Sequence, residues 1–252
     1  MDAVFDMVEI AERFCLRGRF IGCIRYGEGH INDTFKVTTK EGGREVHYIL
    51  QRINYFRMYV FIEDATSYQS VRDKQDFYES AVAFGNFANL LAEFDASQLY
   101  EVLPDFHNTR KRYSNFEAAV QKDACGRAKE VEAEIAWVRA HSDLCGKLVD
   151  AIERKEIPLR VTHNDTKLNN VMLDNATGKA LAVIDLDTVM PGSLCYDFGD
   201  SIRFGCNSAA EDEPDLSKVH FVLDLYKTYL SGYLSAVGSG ITAKEKELLP
   251  WG

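Results

Sequence analysis

The stretch Val161-Thr162-His163-Asn164-Asp165-Thr166-Lys167-Leu168-Asn169-Asn170 carries the densest chemistry in this 252-residue chain. A short apolar run at residues 159–162 leads into a cluster of hydrogen-bonding side chains, and the apolar residues 171–173 follow at once. Residues 180–184 form a third strand-like run, with turn chemistry at Asn175-Ala176-Thr177-Gly178 between the last two. The hairpin predicted there returns Asp185, fifteen residues beyond Asn170, to the side of Asn170.

Read as H-x-D-x-K-x-x-N, the stretch is similar to the catalytic loop of protein-kinase-like phosphotransferases, and Ile184-Asp185 stands where that fold places its second metal-binding acid. Phosphoryl transfer asks for in-line positioning and for positive charge on the phosphate oxygens rather than for covalent chemistry. Asp165, at the end of a strand, can orient an acceptor hydroxyl and take its proton. Lys167 can neutralise charge on the transferring group. Asn170 and Asp185 offer hard oxygens that suit Mg²⁺. His163 is expected to be an interior histidine that shapes the loop backbone rather than a proton shuttle.

The N-terminal part has a different texture. Residues 3–17 read as an amphipathic helix stopped by Gly18. Strand-like runs follow at 20–26, 34–39, 46–53 and 56–62, with turn chemistry at Gly27-Glu28-Gly29-His30 and Glu41-Gly42-Gly43. The first turn can be an ordinary hairpin or a glycine-rich loop whose backbone N–H groups approach phosphates, with Gly27, Gly29 and Asn32 as the candidate contacts. On the second strand-like run after it, 46–53, Arg52 is the candidate phosphate-anchoring cation. Strand alternation sends Arg52 and Gln51 to opposite faces, so only one of them can serve. Tyr59-Val60-Phe61-Ile62-Glu63-Asp64-Ala65 looks like a hinge between lobes, where the backbone at Glu63 and Ala65 would meet an adenine.

Beyond residue 66 the chain reads as mostly helical, over 77–94, 116–141, 144–154 and 216–236. Asp197-Phe198-Gly199 resembles the magnesium motif of protein kinases. It lies 27 residues after Asn170 and ends no apolar strand, so Asp197 and Asp200 are read as capping a helix or bracing the catalytic loop. Arg203 and Phe204 are candidate acceptor contacts.

Composition narrows the function. With 39 acidic against 29 basic residues and a net charge of −10, the chain lacks the basic patches of nucleic-acid or anionic-membrane binders. No apolar run is long enough to span a bilayer, and the N-terminus lacks the pattern of a signal peptide. None of the six cysteines forms a C-x-x-C pair, which fits reduced thiols in the cytoplasm. Of the three N-x-T sequons, those at Asn32 and Asn164 fall inside the candidate site, where a glycan would block chemistry.

The strings at residues 29–35, 59–69, 162–174 and 183–205 resemble the aminoglycoside phosphotransferase-type small-molecule kinases and, within them, N-acetylhexosamine 1-kinases. The resemblance implies an α+β, protein-kinase-like two-lobe fold. Residues 1–65 would form a small β-rich nucleotide-binding lobe, and residues 66–252 a larger helical lobe with the catalytic loop, a short β-hairpin and the acceptor site. It implies ATP and Mg²⁺ as cofactors, Asp165 as catalytic base, and the anomeric hydroxyl of N-acetylglucosamine or N-acetylgalactosamine as acceptor, giving the sugar 1-phosphate. Other small hydroxylated acceptors, amino sugars or choline-like alcohols, stand as the alternative. So does a shortened nucleotide-binding pseudokinase. The chain departs from the family in two places. A single residue, Tyr55, separates Asn54 from Phe56, where the fold calls for a helix, and Trp251-Gly252 falls where the family continues into helices that wall the sugar site. The junction fuses two β-runs without turn chemistry, which points to intervening residues that this sequence does not carry.

Overall fold

The computed structural model describes residues 7–26, 33–52, 56–209 and 213–252. The chain divides into two compact units, Met1–Asp64 and Ala65–Gly252, and apolar side chains cluster into a core within each.

In the first unit, helix α1 (Met7–Glu12) precedes strands β1 (Arg19–Arg25), β2 (Asp33–Glu41), β3 (Arg44–Arg52) and β4 (Phe56–Val60), paired antiparallel in that order. The two-residue period puts Phe35 opposite Leu50, Val37 opposite Tyr48 and Thr39 opposite Val46. These residues share one face, and its apolar members pack against Ala11 and Phe14. Between β2 and β3, Gly42 and Gly43 take φ of +56° and +87°, the doubly left-handed geometry of a tight hairpin turn. Tyr48 Oη accepts the Arg17 N–H at 3.0 Å, and Thr39 Oγ1 donates to the Arg17 carbonyl at 2.6 Å, which ties the lead into β1 to the sheet. The predicted helix over 3–17 is shorter among the described residues. The N–H groups of Arg13 and Phe14 turn back to carbonyls three residues earlier, and Phe14 and Leu16 enter the sheet core instead of continuing the helix. Strand β4 pairs directly with β3, Arg52 opposite Phe56, so no helix stands between them among the described residues.

The second unit opens with β5 (Ala65–Thr66) and α2 (Lys74–Leu90), continues through α3 (Thr109–Lys122), α4 (Glu132–Ala140) and α5 (Lys147–Glu153), and reaches β6 (Arg160–Thr162). Strands β7 (Val171–Asp174), β8 (Ala180–Val183) and β9 (Met190–Gly192) follow, then α6 (Leu194–Gly205), α7 (Leu223–Val237) and α8 (Ala243–Leu248). Strands β5, β7 and β8 form one small sheet, and β6 pairs antiparallel with β9. Phe77 and Ala81 of α2, Leu194 and Phe198 of α6, and Tyr229 and Tyr233 of α7 fill the core. Helices α2 and α7 approach closely because Gly85 and Gly232 carry no Cβ. One added at Gly232 would lie 2.7 Å from the Tyr78 carbonyl oxygen.

Two predicted helices are corrected. The run over 116–141 is two helices, because Asp123 turns left-handed (φ +38°) to close α3 and its carboxylate accepts the Ala128 N–H at 3.0 Å. The helix expected over 216–236 starts at Leu223, since Phe221 bridges to Asn207 in extended conformation. No helix among the described residues is long and apolar enough to cross a membrane.

Strand β6, which leads into the loop at residues 163–170, is anchored by a buried ion pair. The fully buried Glu245 accepts from Arg160 Nε at 2.7 Å and Nη2 at 2.9 Å while closing a capping box with Thr242 at the start of α8. Glu245→Gln leaves the Arg160 guanidinium without its counter-charge. Breaking such a pair costs about 3 kcal/mol, to be read as a lowered denaturant midpoint with an unchanged slope.

Candidate active site

Strand β6 ends at Thr162, and the next eight residues form a loop held from all sides. Its histidine is fully buried. Nε2 of His163 lies 2.9 Å from the Ile184 carbonyl, and its Nδ1 accepts the Asp165 N–H at 3.3 Å. These partners place the ring proton on Nε2 and make His163 a strut between the loop and the end of the β7–β8 hairpin. Phe84 and Phe87 meet its ring edge-on at 5.5 and 5.7 Å. Asn164 sits at φ +64°, a conformation asparagine tolerates better than most residues. Its amide donates to the carbonyls of Thr162 and Thr188.

Helix α6 braces the loop from below. The Asp197 carboxylate accepts the backbone N–H groups of His163 at 2.9 Å and Asn164 at 2.8 Å, and Asp200, one turn on, accepts that of Thr166 at 2.8 Å. Ser201 Oγ donates to the Thr166 carbonyl at 2.7 Å and receives the Tyr229 hydroxyl at 2.6 Å, so α7 supports the loop through α6. Burial pushes the Asp197 carboxyl above its ordinary range, against the two backbone N–H groups, which favour its charged form. The Asp-Phe-Gly triplet is therefore a helical brace, as its spacing from Asn170 led one to expect.

The loop brings Asp165, Lys167 and Asn170 together. Asn170 Nδ2 donates to the Asp165 carbonyl at 2.7 Å and to its carboxylate at 3.0 Å, and Lys167 Nζ lies 3.8 Å from the other carboxylate oxygen. The Ile184 N–H bonds the Asn170 carbonyl at 2.9 Å, which sets Asp185 one residue beyond this junction in a left-handed conformation (φ +59°). With its amide nitrogen committed to Asp165, Asn170 has its amide oxygen left to offer a cation. Carboxamide and carboxylate oxygens make a donor set that suits Mg²⁺, which keeps several waters and takes phosphate oxygens for the rest. Among the described residues no cluster of three or more His, Cys, Asp or Glu could hold a metal by itself.

Beside Asp165 opens a cavity of about 470 Å³, within the range that holds small-molecule ligands. Asn164, Asp165 and Lys167 line it from the loop, and Asp200 and Arg203 from α6. Phe106, His107 and Arg112 contribute from the segment before α3 and its first turn, and Tyr196 from the start of α6. Arg203 Nη2 bonds Asp200 at 2.8 Å. Phe204 is not among the lining residues. Successive helix positions diverge by about 100°, so Arg203 and Phe204 cannot both face the cavity. Sequence reasoning missed His107, Arg112 and Tyr196, which no motif marks.

The other expected contacts divide between the units. Gly27, Gly29 and Asn32 lie outside the described residues. Arg52, at the end of β3, pairs with Asp33 at 3.3 Å, while Gln51 accepts from Arg57 at 2.9 Å. Glu63 lies 3.4 Å from His47 Nδ1 in the first unit, and Ala65 pairs with Asp174 in the second.

Residues 53–229, well over half of the chain, match the model of the phosphotransferase enzyme family, and the chain belongs to that family. A Plasmodium vivax ethanolamine kinase is similar in structure at a TM-score of 0.54 and 13% identity, over 91% of this chain and 70% of that one. At this identity the likeness concerns the fold alone. An aminoglycoside-3′-phosphotransferase of type VIII matches at a TM-score of 0.44 and 17% identity, over 97% of this chain and 94% of its own. A spectinomycin phosphotransferase, solved with ADP and spectinomycin, matches at 0.43 and 13%, over 91% and 87%. At those scores neither likeness carries weight.

Proposed function

We propose that this phosphotransferase transfers the γ-phosphoryl group of ATP to the anomeric hydroxyl of an N-acetylhexosamine, giving the sugar 1-phosphate. The observation that carries the acceptor class is the polarity of the cavity beside Asp165. Three cationic side chains, Arg112, Lys167 and Arg203, stand there against two carboxylates, Asp165 and Asp200. An ammonium-bearing acceptor such as choline or an aminoglycoside wants an acidic, aromatic cage. A neutral sugar wants mixed hydrogen-bonding groups, and this wall supplies them. The choice of N-acetylhexosamine over other neutral sugars rests on the sequence strings.

In this reading Asp165 holds the acceptor hydroxyl and takes its proton, while Lys167 faces the transferring group. Asn170 and Asp185 would hold magnesium, which would supply positive charge against the phosphates. Residues 1–65 serve the nucleotide through Arg52 and the backbone at Glu63 and Ala65, and residues 66–252 supply catalysis and the acceptor site. Six free thiols fit a cytoplasmic enzyme.

The test is ADP release from Mg-ATP with N-acetylhexosamines, plain hexoses, choline, ethanolamine and aminoglycosides as acceptors. Turnover confined to N-acetylhexosamines, with an acid-labile sugar 1-phosphate as product, is expected. Preference for a cationic acceptor would overturn the acceptor class. Nucleotide binding without any turnover would mark a pseudokinase.

A further inference from the structure

Arg112 stands in the first turn of α3, at the positive end of the helix dipole, where a cation is disfavoured. The other two cations on the wall of the cavity beside Asp165 are paired. Lys167 Nζ lies 3.8 Å from Asp165, and Arg203 bonds Asp200 at 2.8 Å. Arg112 has no acidic partner among the described residues. Its Nε donates to the Phe106 carbonyl at 2.7 Å, and its guanidinium carbon lies 5.5 Å from the centre of the Phe106 ring, within reach of a cation–π contact. That ring meets His107 at 4.6 Å, and His107 stacks on Tyr196 at 4.5 Å, so an aromatic tier running out from α6 carries the guanidinium. One edge of the fork is thus fixed. The two Nη groups have no hydrogen-bond partner among the described residues, on a side chain that lines this cavity. A guanidinium only donates, so what it can take from the cavity is an accepting oxygen.

We infer that Arg112 is a specificity-determining residue of the acceptor site, whose Nη fork hydrogen-bonds the carbonyl oxygen of the acceptor's acetamido group. The inference deepens the proposed function and rests on reading the cavity beside Asp165 as the acceptor site. On a neutral sugar the amide oxygen is the strongest acceptor, with two lone pairs and no proton of its own to place. The bond is charge-assisted, hence stronger than one between neutral groups. The Phe106 carbonyl already makes the same pairing on the Nε side. A plain hexose offers only a hydroxyl there, a weaker acceptor that is shorter by the acyl carbons. A carboxylate or phosphate on the acceptor would also suit the fork. Asp165 and Asp200 stand on the same wall, however, and oppose a further anion beside the transferring phosphoryl group. The fork therefore selects a neutral acyl amide, and an acceptor without one leaves its donors unused.

The experiment is an acceptor-analogue cycle on the full chain. kcat/KM is measured for N-acetylglucosamine, its N-thioacetyl analogue, glucose and glucuronate, with the wild type, Arg112→Met and Arg112→Lys. Sulfur in place of the amide oxygen keeps the acyl group but accepts weakly. Methionine keeps an apolar stem and removes every donor, and lysine keeps the charge without the fork. The wild type is expected to prefer N-acetylglucosamine to the thioacetyl sugar by about tenfold, and to glucose by about 10- to 100-fold, the range of one charge-assisted hydrogen bond. Arg112→Met should bring both ratios to within about threefold, chiefly through a higher KM for N-acetylglucosamine, and Arg112→Lys should restore part of them. Ratios that Arg112→Met leaves unchanged would overturn the inference, and so would an equal loss on every acceptor, which marks a structural role. The wild-type comparison needs no variant. Equal turnover of the acetyl and thioacetyl sugars overturns the inference even where a variant does not fold, and a wild-type preference for glucuronate does the same. If no N-acetylhexosamine is turned over, the proposed function fails and the inference falls with it. If they are turned over and only the ratios stay put, the inference fails alone.

Discussion

Asp165→Asn is expected to lower kcat by about 10²–10⁴-fold, the usual contribution of a positioned general base, while Mg-ATP affinity stays within about twofold. Asparagine has the same shape and can still accept from Asn170, whose amide now reaches Asp165 at 2.7 and 3.0 Å. It cannot take a proton from the acceptor hydroxyl. Steady-state kinetics paired with nucleotide titration separates the two effects. Asp185→Asn should behave differently, weakening Mg-ATP binding together with turnover, because in the proposed reading it removes a charged oxygen ligand from the cation. Near-normal activity in Asp165→Asn would remove Asp165 as the base. Equal losses of nucleotide affinity in both variants would mean that the two carboxylates act as one metal site.

Asp197→Ala should cost about 2–4 kcal/mol of stability, although Asp197 is not among the residues lining the cavity. Its carboxylate satisfies two buried backbone N–H groups, those of His163 and Asn164. Alanine orphans both, at about 1–3 kcal/mol each, less the relief of no longer burying a charge. Loosening the loop that carries Asp165 should lower kcat by a further 10²-fold or so, since about 1 Å of misplacement has that effect. Denaturant unfolding and amide exchange at His163 and Asn164 measure the two losses. The pH dependence gives a second signature. Burial raises the folded-state pKa of Asp197 above its ordinary value, so the folded protein holds that proton more tightly than the unfolded chain. Its contribution to stability is fully present below about pH 4, the ordinary aspartate value, and is lost as the pH rises through the raised value. The difference in stability between wild type and Asp197→Asn should therefore change with pH in that window, in the wild type's disfavour at the upper end. A flat difference would mean that Asp197 stays ionised throughout.

The loop at residues 163–170 and the hairpin after it were legible in the sequence because their determinants are local. Apolar runs at 159–162, 171–173 and 180–184, the turn at 175–178 and the spacing from Asp165 to Asn170 to Asp185 lie within a stretch of about thirty residues. Strands β6, β7 and β8 fall on those runs. The strands of the first unit were legible for the same reason, through their two-residue period and glycine turns. The break between α3 and α4 was missed because charge and periodicity continue across it. Only the left-handed turn at Asp123, closed by its own side chain, interrupts them.

By itself, the sequence determined the strand, loop and hairpin that carry Asp165, Lys167, Asn170 and Asp185 and the phosphotransferase family to which they point. Tertiary structure decided what surrounds that chemistry. It turned Asp197 and Asp200 into braces for loop amides more than thirty residues away, sent Arg203 toward the cavity and left Phe204 off it, and set His107 between Phe106 and Tyr196 with a buried nitrogen unpaired. The physical reason is range. Propensity, turn chemistry and periodicity act over a few residues, whereas a binding wall is assembled by packing between segments far apart in the chain, where no local pattern marks which side chains will meet.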